Sequence, residues 1–348
     1  MPCRSATDAS DLSEEQIMRL QKLAATIVVT AGTATVSLIF WSSTLALGGA
    51  DGNIPEPQQG GDSVPKSASL KSGDVGQDVD RLQKYLQQFG YMRAPKGEEN
   101  RFAPYANPRV LSDPPKVPGT FDEETRRALK RFQLQNRLPV TGQLNRATLD
   151  LIQSARCGVP DTAEFVTDGK KWSQTEVTYS FQVRKDTKRI SAALDNDEVK
   201  EAVRQAFQLW SVVTPLTFVM RPDNDEDANI RIMFGKGNHG DGIRESFDGP
   251  RGVLAHAYSP PPPSLDGLAG DVHFDDEERW LTDPVAGIDL VTVAAHEIGH
   301  ALGLGHSQVK DGLMYPYYGD PRAYLDGDDI RGIQFLYGPR RIAQAKAK

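Results

Sequence analysis

His296-Glu297-Ile298-Gly299-His300-Ala301-Leu302-Gly303-Leu304-Gly305-His306 is the stretch that decides how this chain is read. The residues leading into it, Ile288, Leu290, Val291, Val293, Ala294 and Ala295, are apolar and predict a buried helix. On that helix His296 and His300 stand at i and i+4, so both imidazoles leave one face, one turn apart. Two ligands gripping one zinc ion need that spacing. Glu297 is one position round, close enough to touch a water at such a metal without being a ligand. Gly303 suits the left-handed conformation that ends a helix, after which the chain doubles back and His306 supplies a third imidazole. Three neutral nitrogens and one open position describe a catalytic zinc rather than a structural one. A bare H-E-x-x-H also arises on ordinary helices. The extension through Gly303 and His306, with the Leu313-Met314-Tyr315-Pro316 turn downstream, is far more specific.

The 348 residues suffice for two modest domains, and a 39% hydrophobic content gives them cores. A formal net charge of −7, with no basic block before the Lys/Arg-containing tail, argues against a nucleic-acid partner. The two cysteines, Cys3 and Cys157, flank a long apolar segment and are not expected to pair. Cys157 is then an unpaired thiol in an exported domain, which needs a reason. The six histidines split into two sets of three: His296, His300 and His306, and further back His239, His256 and His273. The second set, with Asp241, leaves no open place and fits a closed tetrahedral site.

Residues 1–22 are polar. No charge appears between Lys22 and Asp51, and within the apolar segment 23–50 the core from Ile27 to Leu47 has a length that fits a membrane-crossing helix. Ala46-Leu47-Gly48 also offers a small-x-small cleavage pattern, so signal and anchor both stay open, with an uncleaved anchor slightly preferred. Either one exports the rest of the chain, secreted or anchored in type II orientation. Residues 51–67 read as a linker. Within 68–164, Val79, Leu82, Leu86 and Phe89 repeat at helical spacing before Gly90. A second helix is expected from about 122 to 136, with Ala128, Leu129 and Phe132 inward and Thr120 as its N-cap, paired with Glu123 in a capping box. Thr148, Leu149, Leu151 and Ile152 mark a third. The Pro-rich stretch 94–118 is long for a connection and reads equally as solvated insertion or functional loop. From about Phe165 the pattern changes to strands at 177–181, 216–220, 230–234, 254–258 and 272–274. One amphipathic helix lies between the first two, with Val199, Val203, Phe207 and Trp210 on one face. A last helix begins at Asp328-Asp329-Ile330, with Ile333, Leu336 and Tyr337 inward. The class is α+β.

The extended histidine motif resembles that of the metzincin clan, and Ser307 after His306 narrows the resemblance to matrixins, the matrix metalloproteinases. The Leu138-Pro139-Val140-Thr141-Gly142 turn and the three-helix pattern look like that family's peptidoglycan-binding-like propeptide. Arg156-Cys157-Gly158-Val159-Pro160-Asp161 resembles its cysteine switch, with Ala155 where Pro is usual. The resemblance implies a zincin-like catalytic domain over 165–340, a mixed five-stranded sheet with three helices, preceded by the propeptide and followed by a tail at 341–348. It implies a form without a hemopexin-like domain. The implied activity is that of a zinc- and calcium-dependent metalloendopeptidase made as a latent zymogen. It would cleave internal bonds of extracellular or matrix proteins through a zinc-bound water, with Glu297 as general base.

The resemblance also carries roles to single residues. His296, His300 and His306 would hold the catalytic zinc, with Cys157 as a fourth ligand in the latent form. His239, Asp241, His256 and His273 would hold a structural zinc. Asp248, Asp275 and Glu278, with carbonyls of Gly249, Arg251 and Val253, would bind calcium. Carbonyls at Asn229, Gly267 and Ala269 with Asp271 would bind a second, giving two zinc and one to three calcium ions. Ala257 or a neighbour on its strand would pair with an extended protein substrate by edge addition. Pro316, Tyr317 and Tyr318 would wall the pocket for the residue after the scissile bond, above a Met-turn at Met314. Two extra residues in the Asp241–Phe247 loop are expected only to lengthen a surface loop. The implied partners are protein substrates and an activating protease, with the membrane added if 23–50 is uncleaved. After activation a new terminus near Phe165 would pair with Asp328. A degenerate binding protein is the competing class, disfavoured by an intact Glu297 and ligand set. An astacin or adamalysin relative is disfavoured by Ser307 and Cys157.

Overall fold

The structure is a computed structural model that describes residues 63–96, 111–161, 170–243, 245–261, 267–282 and 287–341. Cys3, the segment 23–50, residues 97–110 of the Pro-rich stretch and Phe165 lie outside them. No helix among the described residues is long and apolar enough to cross a membrane.

The N-terminal unit has three helices, α1 (Gln77–Gln88), α2 (Glu123–Gln135) and α3 (Arg146–Ile152). Val79, Leu82 and Leu86 bury the inner face of α1. Phe89 ends it, and Gly90, at φ +81°, lets the Tyr91 and Met92 amides fold back onto the Leu86 carbonyl. The cap of α2 is Asp122 rather than Thr120: its carboxylate accepts from the Thr125 amide, while Thr120 pairs with Val75. Asp caps as well as Thr and adds a charge that suits the helix dipole, so the start moves two residues on. The core of this unit, built on Leu82, Leu86, Phe121, Phe132 and Leu144, continues onto Phe247, Val253 and Tyr317 of the second unit.

The second unit is organised by one sheet. Its strands are β1 (Arg156–Cys157), β2 (Glu176–Phe181), β3 (Thr217–Met220), β4 (Ile230–Gly235), β5 (Val253–Ala257) and β6 (Val272–Asp275), in the order β1-β5-β6-β4-β2-β3. Only β5 and β6 are antiparallel. Five strands match the sequence expectation. The sixth, β1, belongs to the segment that carries Cys157.

The unit has three helices: α4 (Asn196–Ser211) and α5 (Leu290–Ala301), which pack against this sheet, and α6 (Gly327–Tyr337), whose Ile330, Ile333 and Leu336 join the same core. All residues of α5 are buried, which explains its apolar character all round. Ile288 is not part of it. Ile288–Asp289 is β8, paired with β7 (Trp280–Leu281), and the Asp289 side chain caps the helix through the Thr292 amide. Trp210 of α4 donates to the Ala295 carbonyl at 2.9 Å. Where the two helices meet, a Cβ on Gly299 would fall 2.4 Å from the Met314 sulfur and 2.9 Å from Trp210. Only glycine lets the turn carrying Met314 approach the helix that closely.

Candidate functional site

Helical spacing delivers His296 and His300 side by side, their Nε2 atoms 3.1 Å apart. Leu302 caps α5. Gly303, at φ +105°, turns the chain back, with the Gly303 amide on the His300 carbonyl and the Leu304 amide on that of Gly299. A Cβ on Gly303 would lie 2.2 Å from the Lys170 carbonyl, so this reversal tolerates no side chain. It carries His306 to within 4.8 Å and 5.3 Å, ring centre to ring centre, of His300 and His296. The Nδ1 of His296 meets the Leu313 carbonyl at 2.7 Å, and that of His300 meets the Leu304 carbonyl at 2.8 Å. A carbonyl only accepts, so both Nδ1 atoms carry the proton and both Nε2 lone pairs face the common centre.

Burial keeps these imidazoles neutral, as metal ligation requires. His296 is pushed down to about 3 by burial and then by neighbouring His306, His300 falls well below its usual value for the same reasons, and burial also lowers His306. Glu297 is fully buried, and neither of its oxygens has a hydrogen-bond partner among the described residues. Burial pushes its carboxyl up to about 8. An orphaned carboxylate beside three converging nitrogens fits a cation with a water beside it.

Cys157 reaches this centre from the edge of the sheet. Its sulfur lies 3.5 Å from His300 Nε2 and accepts from the Val159 amide at 3.3 Å. Cys157, His296, His300 and His306 bring one ligand atom each to within 4.8 Å of one another. Burial, then the Glu297 charge, pushes the thiol well above its usual value. A cation at the centre would reverse that preference, since a thiol on a metal is deprotonated.

The segment around Cys157 is held on both edges. The Arg156 amide donates to the Gly252 carbonyl and the Gly158 amide to that of Ala255, both at 2.8 Å. On the other side the Cys157 amide donates to the Pro316 carbonyl at 2.9 Å, and the Tyr318 amide to that of Ala155 at 2.8 Å. Ala155 thus makes its backbone contact without the expected proline. The pairing of the Cys157 segment runs along Gly252–Ala255, on the strand that also carries Ala257.

Arg156, buried, bonds to Asp161, to the Tyr85 hydroxyl at 2.8 Å and to the Tyr317 hydroxyl at 3.1 Å, and lies 3.5 Å over the Phe89 ring. Asp161 also accepts from the Tyr91 hydroxyl at 2.8 Å and stands 3.3 Å from His306 Nδ1. The sequence marked Phe89 only as a helix-face residue and did not signal Tyr85 or Tyr91; all three lie on or just after α1.

Beside the histidines a pocket is lined by Leu254, Val293, Leu313, Pro316, Tyr318 and Arg322, among others. Pro316, Tyr317 and Tyr318 all line it, and the Tyr318 hydroxyl accepts from the Asp289 amide at 2.7 Å. Met314 is wholly buried beneath the centre. The Leu313 and Met314 amides are held by Asp329 of α6 at 2.8 and 3.1 Å, a role that a helix-starting Asp-Asp pair did not reveal. Asp328 bonds to the Ser307 hydroxyl and Arg331.

The second cluster, His239, Asp241, His256 and His273, also gathers within 4.8 Å. Asp241 lies 2.8 Å from His239 Nε2, 2.8 Å from His256 Nε2 and 3.0 Å from His273 Nδ1. Burial raises its carboxyl, but the three histidine contacts outweigh that and hold it far below the usual range. His239 Nδ1 meets the Gly237 carbonyl at 2.9 Å, which leaves Nε2 for the centre. In the adjoining Asp241–Phe247 loop Ile243 is exposed, whereas Glu245 and Phe247 are buried.

The acids of the first predicted calcium set are neighbours, though their carboxylates do not gather as tightly as the two histidine clusters. Asp275, wholly buried, accepts from the Gly249 amide at 3.2 Å, Asp248 from that of Val253 at 2.9 Å, and Glu278 from that of Arg251 at 2.5 Å. The contacts seen are through the amides of these loop residues rather than their carbonyls. Burial, then the neighbouring carboxylates, pushes Asp275 up to about 6 and Glu278 up to about 8, and burial raises Asp248. Buried acids crowded this way are relieved by a cation. The second set, Asn229, Gly267, Ala269 and Asp271, does not converge on an open place, because Arg231 bonds to both Asp271 and the Gly267 carbonyl.

A matrixin family model matches residues 171–338, and one for a putative peptidoglycan binding domain matches 75–152. Matrix metalloproteinase-20 of Homo sapiens is 45% identical over 225 residues, 63% of this chain and 44% of that protein. The hatching enzyme of Paracentrotus lividus is 45% identical over 214 residues, 61% of this chain and 34% of its own length. Interstitial collagenase of Oryctolagus cuniculus is 40% identical over 273 residues, 76% of this chain and 50% of that protein. The chain therefore spans from a third to a half of the length of these relatives. With the histidine site inside the first matched region and the three-helix unit inside the second, the chain belongs to the matrixin family.

Proposed function

We propose that this chain is the latent form of a secreted or membrane-anchored zinc metalloendopeptidase that cleaves internal bonds of extended extracellular proteins. The observation that carries the reading is the convergence of Cys157 with His296, His300 and His306 beside a buried, unpartnered Glu297. A zinc ion held by the three histidines would polarise a scissile carbonyl and acidify water. Glu297 takes the proton from the attacking water and returns it to the leaving nitrogen. The substrate takes the place of β1 between Gly252–Ala255 and Pro316–Tyr318, where main-chain bonds on both edges fix its register. Its next side chain enters the pocket walled by Leu254, Val293 and Tyr318, which favours an apolar group. Relatives named interstitial collagenase and matrix metalloproteinase support matrix proteins as the substrate class.

The test combines metal analysis with thiol capture. The purified full chain should hold two zinc ions and be inactive on an internally quenched peptide, and a mercurial that captures Cys157 should start cleavage. One zinc per folded chain would remove the second site. Failure of both the mercurial and proteolytic trimming to elicit activity would overturn the enzyme reading.

Calcium at Asp248, Asp275 and Glu278 gives a separate expectation. A chelator too weak to strip zinc should lower the melting temperature. At a calcium level about a hundredfold above Kd the lost stabilisation is about 2.7 kcal/mol. At about 2–4 °C per kcal/mol that is roughly 5–10 °C. An unchanged melting temperature would mean that these loops take no cation.

A further inference from the structure

Arg231 stands on β4, whose parallel register with β6 puts Ile232 against Val272 and so brings Arg231 beside Asp271. Its Nε donates to one Asp271 oxygen at 3.0 Å, its Nη2 to the other, and the same Nη2 to the Gly267 carbonyl. The Arg231 amide adds a bond to Asp271 at 3.3 Å. The Asp271 side chain is only 4% exposed. A planar fork on a carboxylate uses both oxygens at once. Of the four oxygen sources that resemblance assigns to a second calcium ion, the guanidinium therefore holds two, the Asp271 carboxylate and the Gly267 carbonyl.

We propose that Arg231 is a built-in cation that replaces the second calcium of this fold, leaving Asp248, Asp275 and Glu278 as the chain's calcium site. Charge balance supports the exchange. Where a further acid would be useful to calcium, Asn229 is neutral, and its side-chain oxygen is spent on the Thr178 amide and hydroxyl at 2.9 and 3.0 Å. Asp271 is already paired with a guanidinium, which Glu226 also faces, and a divalent ion there would meet that guanidinium's repulsion. Calcium wants six to eight oxygens, and the fork has already claimed those of Asp271 and Gly267.

The adjoining acids follow the same logic. Asp276, buried next to Asp275, bonds to Arg184, to the Ser191 hydroxyl at 2.9 Å and to the Ala192 amide at 2.8 Å. It too has an internal cation and is not left for a metal. Asp248, Asp275 and Glu278, by contrast, accept from backbone amides, and Asp248 also from the Ser63 hydroxyl.

The loop that Arg231 closes is tied to the peptide-binding edge. The Tyr258 amide, just past β5, donates to the Asp271 carbonyl at 2.9 Å, and the Gly270 amide donates back to Tyr258 at 3.2 Å. An arginine does not dissociate, so this loop keeps its shape at calcium concentrations that would empty an ion site.

The inference relies on the preceding reading only for the first calcium site, and the experiment separates the two. Native mass spectrometry would count calcium on the zinc-loaded full chain, carrying Glu297→Gln to prevent self-cleavage. One ion is expected without further change, none after Asp248→Asn, and two after Arg231→Met, which keeps an unbranched stem but no charge. A second calcium in the unaltered chain that survives Asp248→Asn would overturn the proposal, with no need for the Arg231 variant to fold. So would a single ion in an Arg231→Met chain that retains two zinc ions. No calcium in the unaltered chain but one after Arg231→Met would sink the first site and uphold this one.

Discussion

The full-length chain carrying Cys157→Ser is expected to cleave peptide without any proteolytic trimming. The thiol is one of four ligand groups that converge within 4.8 Å. A zinc site of four good ligands binds with about 10–16 kcal/mol in all, so each contributes roughly 3 kcal/mol. A serine hydroxyl is a poor ligand for zinc and keeps little of that. A loss of about 3 kcal/mol shifts the balance between covered and open centre by about a hundredfold. The rise in activity should be of that order and still incomplete, because three other attachments survive. These are the β1 pairing on Gly252 and Ala255, the bonds to Pro316 and Tyr318, and the Arg156–Asp161–Tyr91 network. Assay of the uncut variant beside trimmed protein decides the matter. If Cys157→Ser stays as inactive as the unaltered chain while the trimmed form works, latency is steric and the thiol is incidental.

Glu297→Gln, made on the trimmed or the Cys157→Ser protein, is expected to lower kcat by about 10²–10⁴-fold, the usual share of a general base. Glutamine keeps the shape of a side chain that is wholly enclosed. The histidine ligands and their carbonyl partners at Leu313 and Leu304 are untouched. KM and zinc content should therefore stay near their starting values, which distinguishes a lost proton carrier from a damaged site. Persistent cleavage by a folded, zinc-loaded Glu297→Gln protein would leave the assigned chemistry without its base.

How far the sequence could be read depended on how far apart the partners lie along the chain. His296, His300 and Glu297 are related by one helical turn, and Gly303 with His306 by a tight reversal, so their geometry follows from local rules. Helix faces and strands were legible for the same reason: Val79–Leu86 and Val199–Trp210 each carry their own period. The second cluster could be assembled because histidine is rare here and its residues fall in one region. What stayed hidden depends on register and tertiary contact. Arg231 meets Asp271 forty positions later only through the β4–β6 alignment. Which residue of β5 faces Cys157, here Ala255, is set by strand register and not by any local pattern. Asp329 looks like one more helix-starting acid until the turn at Leu313 and Met314 folds onto it. Thr120 and Asp122 both make acceptable caps, and only the Val75 pairing decides between them.

Strand β1 reaches the sheet edge as part of the chain that supplies the zinc ligands, and this settles how inhibition responds to dilution. A tethered inhibitor acts at an effective concentration fixed by its linker, of millimolar order for short flexible links, whatever the protein concentration. On the proposed function, latency in the intact chain would therefore be as complete at low protein concentration as at high. A single cut between Asp161 and Lys170 would abolish that advantage. The severed segment then stays only as long as its own affinity holds it, and the surrounding volume, more than the cutting protease, sets how completely the enzyme is released.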